Sequence, residues 1–163
     1  MNPGIWIALG AIVLTLAFGG YRARTDGRFR GDGPATGLPV TAIEDDTDQA
    51  GPPDDAPRAW DAVAAALPGE QLGERATLVQ FSTAFCAPCR ATKRVLGEVA
   101  DIVPGVRHVE VDAELHLALT RELAILRTPT TLVLDASGRE VSRAAGAPRK
   151  EQVVAALGRL ADD

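Results

Sequence analysis

Apolar and polar positions divide the chain into three unlike stretches. Met1 to Tyr21 carries no charged side chain, and its centre, Ile5 to Phe18, reads IWIALGAIVLTLAF. A helix of that 21-residue stretch rises about 31 Å, close to the hydrocarbon thickness of a bilayer. No Lys or Arg precedes the apolar run, and no Ala-x-Ala follows it, which argues against a cleaved secretory signal. Arg22, Arg24, Arg28 and Arg30 follow instead. The expectation is an uncleaved, single-pass anchor over 1–21 whose arginine-rich flank stays in the cytoplasm.

Residues 22–57 read as a flexible linker. From Gly31 onward it holds Pro34, Pro39, Pro52, Pro53 and Pro57 and the acidic cluster Glu44, Asp45, Asp46 and Asp48. It has too few large apolar residues to offset the entropy of ordering, and its prolines favour an extended spacer.

From residue 58 to 163 the pattern becomes that of a folded domain. Ala59 to Leu67 is Ala-rich with Trp60, Val63 and Leu67 at helix spacing, and Pro68-Gly69 ends it. Thr77 to Phe81 is apolar without alternation, as suits a central strand buried on both faces. Pro88 to Ile102 predicts a helix with Pro88 in its first turn, stopped by Pro104-Gly105. Val106 to Asp112 alternates as a strand. Leu115 to Leu126 predicts a helix with Leu115, Leu119, Leu123 and Leu126 on one apolar face. Thr131 to Leu134 and Glu140 to Ala144 predict a hairpin around Asp135 to Gly138. Lys150 to Leu160 closes the chain as a helix. The order β-α-β-α-β-β-α predicts an α/β fold: a central mixed sheet flanked by helices on both faces.

Length and composition add bounds. The chain has 163 residues, 46% hydrophobic and 24% charged, enough for one domain with an appendage. A net charge of −5 leaves no electrostatic footprint for nucleic acid. The two cysteines, Cys86 and Cys89, stand three positions apart and cannot staple distant segments. Their place after a strand and at a helix start is a redox arrangement. Free N–H groups and the helix dipole favour negative charge there, so the Cys86 thiol is expected to be acidified and to attack. Cys89, one turn inside, is expected to be more buried and to resolve the mixed disulfide. A zinc site built from Cys86, Cys89, His108 and His116 fits poorly, because the histidines lack the usual close spacing. No metal or cofactor is expected.

These residues resemble the thioredoxin superfamily. The resemblance rests on Leu78-Val79-Gln80-Phe81, Phe85-Cys86-Ala87-Pro88-Cys89-Arg90, Val109-Glu110-Val111-Asp112, Leu126 to Leu132, and Gly138-Arg139-Glu140 leading to Gly146, within about Leu67 to Leu160. It implies a thioredoxin-like fold, a redox-active dithiol and a cis bond between Thr128 and Pro129. It also implies that Phe85, Thr128 and Pro129 contact an incoming peptide. Three positions depart from the family pattern. Phe85 stands where a tryptophan is usual, Ala87-Pro88 replaces Gly-Pro, and Gln80 replaces a buried Asp that serves the second cysteine. A Gln side chain cannot accept a proton at neutral pH. His108, Glu110 or water remain as substitutes.

The expected activity is thiol–disulfide oxidoreduction, with reduction of protein disulfides through Cys86 and Cys89. The expected partners are disulfide-containing client proteins, an upstream electron donor such as a thioredoxin reductase or membrane thiol carrier, and the membrane. The expected location is the cell membrane with the domain on the cytoplasmic side, the dithiol resting reduced. The competing readings are an exported membrane-tethered reductase and a non-catalytic binding module of the same fold.

Overall fold

The computed structural model describes residues 3–25, 27–30 and 58–160. In chain order the elements are α1 (Pro3–Thr25), β1 (Phe29–Arg30), α2 (Ala59–Ala66), β2 (Ala76–Ser82), α3 (Ala87–Ile102), β3 (Val106–Asp112), α4 (Leu117–Glu122), β4 (Thr130–Asp135), β5 (Glu140–Ala145) and α5 (Lys150–Arg159).

The strands form one sheet in the order β1-β5-β4-β2-β3. β2 and β3 are parallel, as a crossover through α3 requires, and the other pairs are antiparallel. β2 lies in the interior of the sheet and is buried at every position, which is why its sequence shows no alternation. Its residues divide by the two-residue period of a strand. Ala76 and Leu78 pack with Leu96, Val99, Val133, Val153 and Leu157 under α3 and α5. Val79 and Phe81 pack with Val63, Val109, Val111, Leu119, Leu132 and Leu134 under α2 and α4. Each fully buried side chain of this size contributes about 1.5–3 kcal/mol. The hairpin between β4 and β5 turns on Asp135, whose Oδ1 accepts from the N–H groups of Ser137 (2.8 Å) and Arg139 (3.0 Å).

Three expectations need correction. The helix expected over Leu115 to Leu126 is only α4, Leu117–Glu122. Asp112 Oδ1 accepts from the N–H groups of Glu114 (2.8 Å) and Leu115 (3.2 Å), so a side-chain turn delays the start. At the other end Ala124 adopts a positive φ of 51°. Ile125 N–H then donates to Thr120 O (2.7 Å) and Ala124 N–H to Arg121 O (3.1 Å), the paired bonds of a left-handed helix stop. Leu115 and Leu126 are consequently exposed rather than inward.

The second correction concerns the linker. Phe29 and Arg30 are not spacer but β1, paired with Ala144 and Arg143 of β5, and Phe29 packs against the α3/α5 core. Gly27 N–H donates to Ala145 O at 3.0 Å. With φ at +75°, Gly27 lies so close to Ala147 that an added Cβ would stand 2.3 Å from its carbonyl oxygen. The remainder of the expected linker, residues 31–57, falls outside the described residues.

The third concerns the membrane span. α1 is helical over 23 residues, and its side chains are described for residues 7–21, all of them exposed. Among the described residues no helix is long and apolar enough to cross a membrane.

Candidate active site

β2 runs toward one end of the sheet, and the chain turns there through residues 83–85 into α3. Cys86 stands in extended conformation as the cap of α3, immediately before Ala87. The Cys89 N–H, in the first turn of α3, is shared between Cys86 Sγ at 3.1 Å and the Cys86 carbonyl oxygen at 3.1 Å. Pro88 occupies the first turn, where its missing N–H costs no helical hydrogen bond. The structure holds Cys86 and Cys89 as a disulfide, with Cα atoms 5.2 Å apart.

The two sulfurs are unequal. Cys89 is 2% exposed, whereas Cys86 is half-buried. An incoming thiolate or disulfide therefore reaches Cys86 first. A negative charge on Cys86 faces the N–H of Cys89, which it shares with the Cys86 carbonyl, and the positive end of a 16-residue helix.

Beneath Cys89 the sheet changes from apolar to polar. Gln80 is completely buried in the middle of β2. Its Nε2 donates to the Cys89 carbonyl at 2.9 Å, and its Oε1 meets His108 Nε2 at 3.1 Å. One step further toward the site, the Ser82 hydroxyl donates to Glu110 Oε1 at 2.7 Å, and Lys93 Nζ pairs with Glu110 Oε2 at 2.6 Å. Burial lowers the His108 pKa below its ordinary value; Glu110 opposes this and Lys93 adds to it. Burial pushes the Glu110 carboxyl up, but the hydrogen bonds from Lys93 and Ser82 and the nearby positive charge outweigh it, so its pKa falls below the ordinary value. The Thr92 and Thr131 hydroxyls are buried without a hydrogen-bond partner. Thr131 is the register partner of Gln80, and Thr92 follows Cys89 by three positions on α3.

The second loop of the site is the entry to β4. The Thr128–Pro129 bond is cis, as the resemblance implies. Thr83 Oγ1 and Thr128 Oγ1 lie 3.4 Å apart, so this loop sits against the turn that leads to Cys86. Gly146 N–H donates to Pro129 O at 2.8 Å and fixes the loop to the end of β5. Phe85 lies 99% exposed beside Cys86. Of the five residues singled out in the sequence, Phe85 and Cys86 lie in the turn into α3, Cys89 in the first turn of α3, and Thr128 and Pro129 in the loop before β4. Thr83 and Lys93 were not singled out. Lys93 follows Cys89 by four positions, the spacing that places two residues on one helix face. Among the described residues no group of three or more His, Cys, Asp or Glu is placed to hold a metal ion.

Comparison with known proteins agrees with this geometry. Residues 69–161 match the model of the thioredoxin-like domain, more than half of the chain. The chain belongs to the thioredoxin-like family. It is 30% identical over 78 residues to thioredoxin H-type 1 of Nicotiana tabacum, covering 48% of this chain and 61% of that protein. It is 34% identical over 86 residues to thioredoxin of Alicyclobacillus acidocaldarius, covering 52% of this chain and 81% of that protein. Among solved structures, chloroplastic thioredoxin z superposes with a TM-score of 0.52 at 21% identity, covering 64% of this chain and 88% of that one. A mutant thioredoxin of Halobacterium salinarum gives 0.50 at 17% identity, covering 53% of this chain and 75% of that one. These superpositions establish the shared fold.

Proposed function

We propose that this protein is a thiol–disulfide oxidoreductase that reduces protein disulfides through Cys86 and Cys89. The observation that carries the reading is the Cys89 N–H aimed at the sulfur of a more exposed Cys86 at the head of α3. In the reduced protein the Cys86 thiolate attacks a client disulfide. A Cys86–client bond forms, and one client sulfur leaves with the bonding pair and takes a proton. Cys89 loses its proton and attacks Cys86 Sγ; the Cys86–Cys89 bond forms and the second client thiolate leaves. Two electrons pass from the dithiol to the client. An upstream donor, such as a thioredoxin reductase or a membrane thiol carrier, returns them. Phe85, Thr128 and Pro129 form the surface along which the client lies.

The apolar side chains of α1 support attachment of the domain to a membrane, since Ile7, Val13, Leu14, Leu16 and Phe18 are all more than 60% exposed. The arginines after Tyr21 add attraction to an anionic membrane surface, the kind that faces the cytoplasm.

Reduction of insulin disulfides by a chemical thiol, followed by turbidity, tests the activity: the protein should accelerate it and Cys86→Ser should not. Equal rates with and without the protein would contradict the reading. A phosphatase fused after Asp163 tests the topology, with activity at that position contradicting a cytoplasmic domain.

A further inference from the structure

The resolving thiol must lose a proton, and the group that manages this is not evident from the cysteines themselves. Cys89 is buried, and the polar side chain bonded to its backbone from the sheet is Gln80. A carboxamide neither gives nor takes a proton near pH 7. Its orientation is nevertheless fixed. The Cys89 carbonyl can only accept, so Gln80 presents Nε2 to it and Oε1 to His108. Oε1 can only accept in turn, so His108 carries its proton on Nε2. The neutral imidazole is locked in that tautomer, and Nδ1 is the atom left to titrate.

The remaining neighbours leave His108 as the variable charge. From α3, Lys93 faces it as a fixed cation. On its own strand, Glu110 is held as a carboxylate by Lys93 and Ser82. β2 contributes Gln80, and β3 is the edge of the sheet, so among the described residues no further strand covers it. Of these groups, the His108 imidazole is the kind of side chain whose charge ordinarily changes between about pH 5 and 8. Burial keeps the His108 pKa below 6.5, so in the disulfide state the imidazole is neutral at pH 7.

We infer that His108, acting through Gln80, is the positioning residue that sets the proton affinity of Cys89, in place of a buried carboxylate. When the Cys89 thiol gives its proton to solvent, the thiolate raises the proton affinity of His108 Nδ1. Nδ1 then takes a proton from solvent as pH falls. A cationic His108 is the stronger donor to Gln80, polarises its amide, and strengthens the N–H bond to the Cys89 backbone beside the thiolate. Coupling of this kind is reciprocal, so protonated His108 favours the thiolate that resolves the mixed disulfide. This rests on the reading of Cys86 as attacking and Cys89 as resolving.

The test follows resolution in a single turnover. Reduced full-length protein is mixed with dithiobis-nitrobenzoate. The first nitrothiolate reports attack by Cys86, and the second reports attack by Cys89. In the wild type the second rate should fall less than tenfold per pH unit once His108 protonates. His108→Gln keeps an Nε2 donor for Gln80 but cannot titrate, so its second rate should fall by the full tenfold per unit. The two should differ by about fivefold at pH 5, the lower end of typical couplings. Coinciding second-phase profiles from pH 5 to 9 overturn the inference while leaving the attack and resolution roles intact. A wild type that releases no second nitrothiolate overturns the roles themselves. Nitrogen NMR of wild-type His108 needs no variant. The Nε2–H tautomer supports the inference, and the Nδ1–H tautomer overturns it.

Discussion

Gln80 Nε2 donates to the carbonyl oxygen of Cys89 at 2.9 Å, from a side chain with no solvent exposure. This bond ties the middle of β2 to the first turn of α3 and places Cys89 over a neutral amide. Replacing Gln80 by Asp puts a carboxylate among groups that include an acceptor-only carbonyl. Burial raises its folded pKa above the unfolded value, so the fold keeps its stability at low pH and loses it as pH rises through the folded pKa. Gln80→Asp should cost about 3 kcal/mol at pH 7 and much less near pH 4. Denaturant melts at the two pH values check this; equal losses at both would contradict it.

The pH dependence of wild-type stability should carry two separate contributions. His108 is lowered in the fold, so below its unfolded value of 6.5 the unfolded chain binds more protons, and stability falls as pH falls from 7 toward 5. Glu110 is also lowered, so its contribution is present above its unfolded value of 4.5 and is lost as pH drops further, through the folded pKa. His108→Gln should flatten the curve between pH 7 and 5 and leave the lower limb in place. Calorimetric melting of both proteins across that range decides it, and an unchanged upper limb would contradict the assignment.

Thr131 offers a test in the opposite direction. Its hydroxyl is buried beside Gln80 without a partner. Val has nearly the same shape and no hydroxyl to desolvate. Thr131→Val should stabilise the fold by about 1 kcal/mol, measured by urea denaturation. A loss of that size would mean that the hydroxyl makes an interaction worth keeping.

Much of the domain was legible because its strongest patterns are local. The strand before Cys86 reads as buried on both faces because β4 and β3 flank it and helices cover both sides. Cys86-Ala87-Pro88-Cys89 announces a helix start, and the chain does turn into α3 there. What misled were residues whose environment is set from elsewhere. Leu115 and Leu126 continue the apolar spacing of α4, but Asp112 captures the N–H groups ahead of it, and Ala124 takes a left-handed turn more usual for Gly. Phe29 sits among arginines and glycines, and only the open edge of β5 makes it a strand. The Gln80–His108 bond joins residues 28 positions apart, a contact that parallel pairing of β2 with β3 creates and no local spacing reveals.

Docking of β1 depends on Gly27, whose backbone passes against Ala147 with no room for a side chain. Gly27→Ala should release this edge without unfolding the sheet behind it. Hydrogen exchange at the Gly27 amide, now bonded to Ala145, should rise by an order of magnitude or more, at about 1.4 kcal/mol for each tenfold. Retained protection there would contradict the close approach.

The division of labour between the two sulfurs is tested most directly by trapping. Reduced Cys89→Ser and Cys86→Ser proteins are each mixed with a peptide disulfide, quenched with acid and weighed by mass spectrometry. Cys89→Ser should accumulate a stable adduct on Cys86, at a pH well below that needed by an ordinary thiol. Cys86→Ser should remain unmodified over the same interval. An adduct that forms faster on Cys89 would contradict the account, since the buried sulfur would then be the one that attacks.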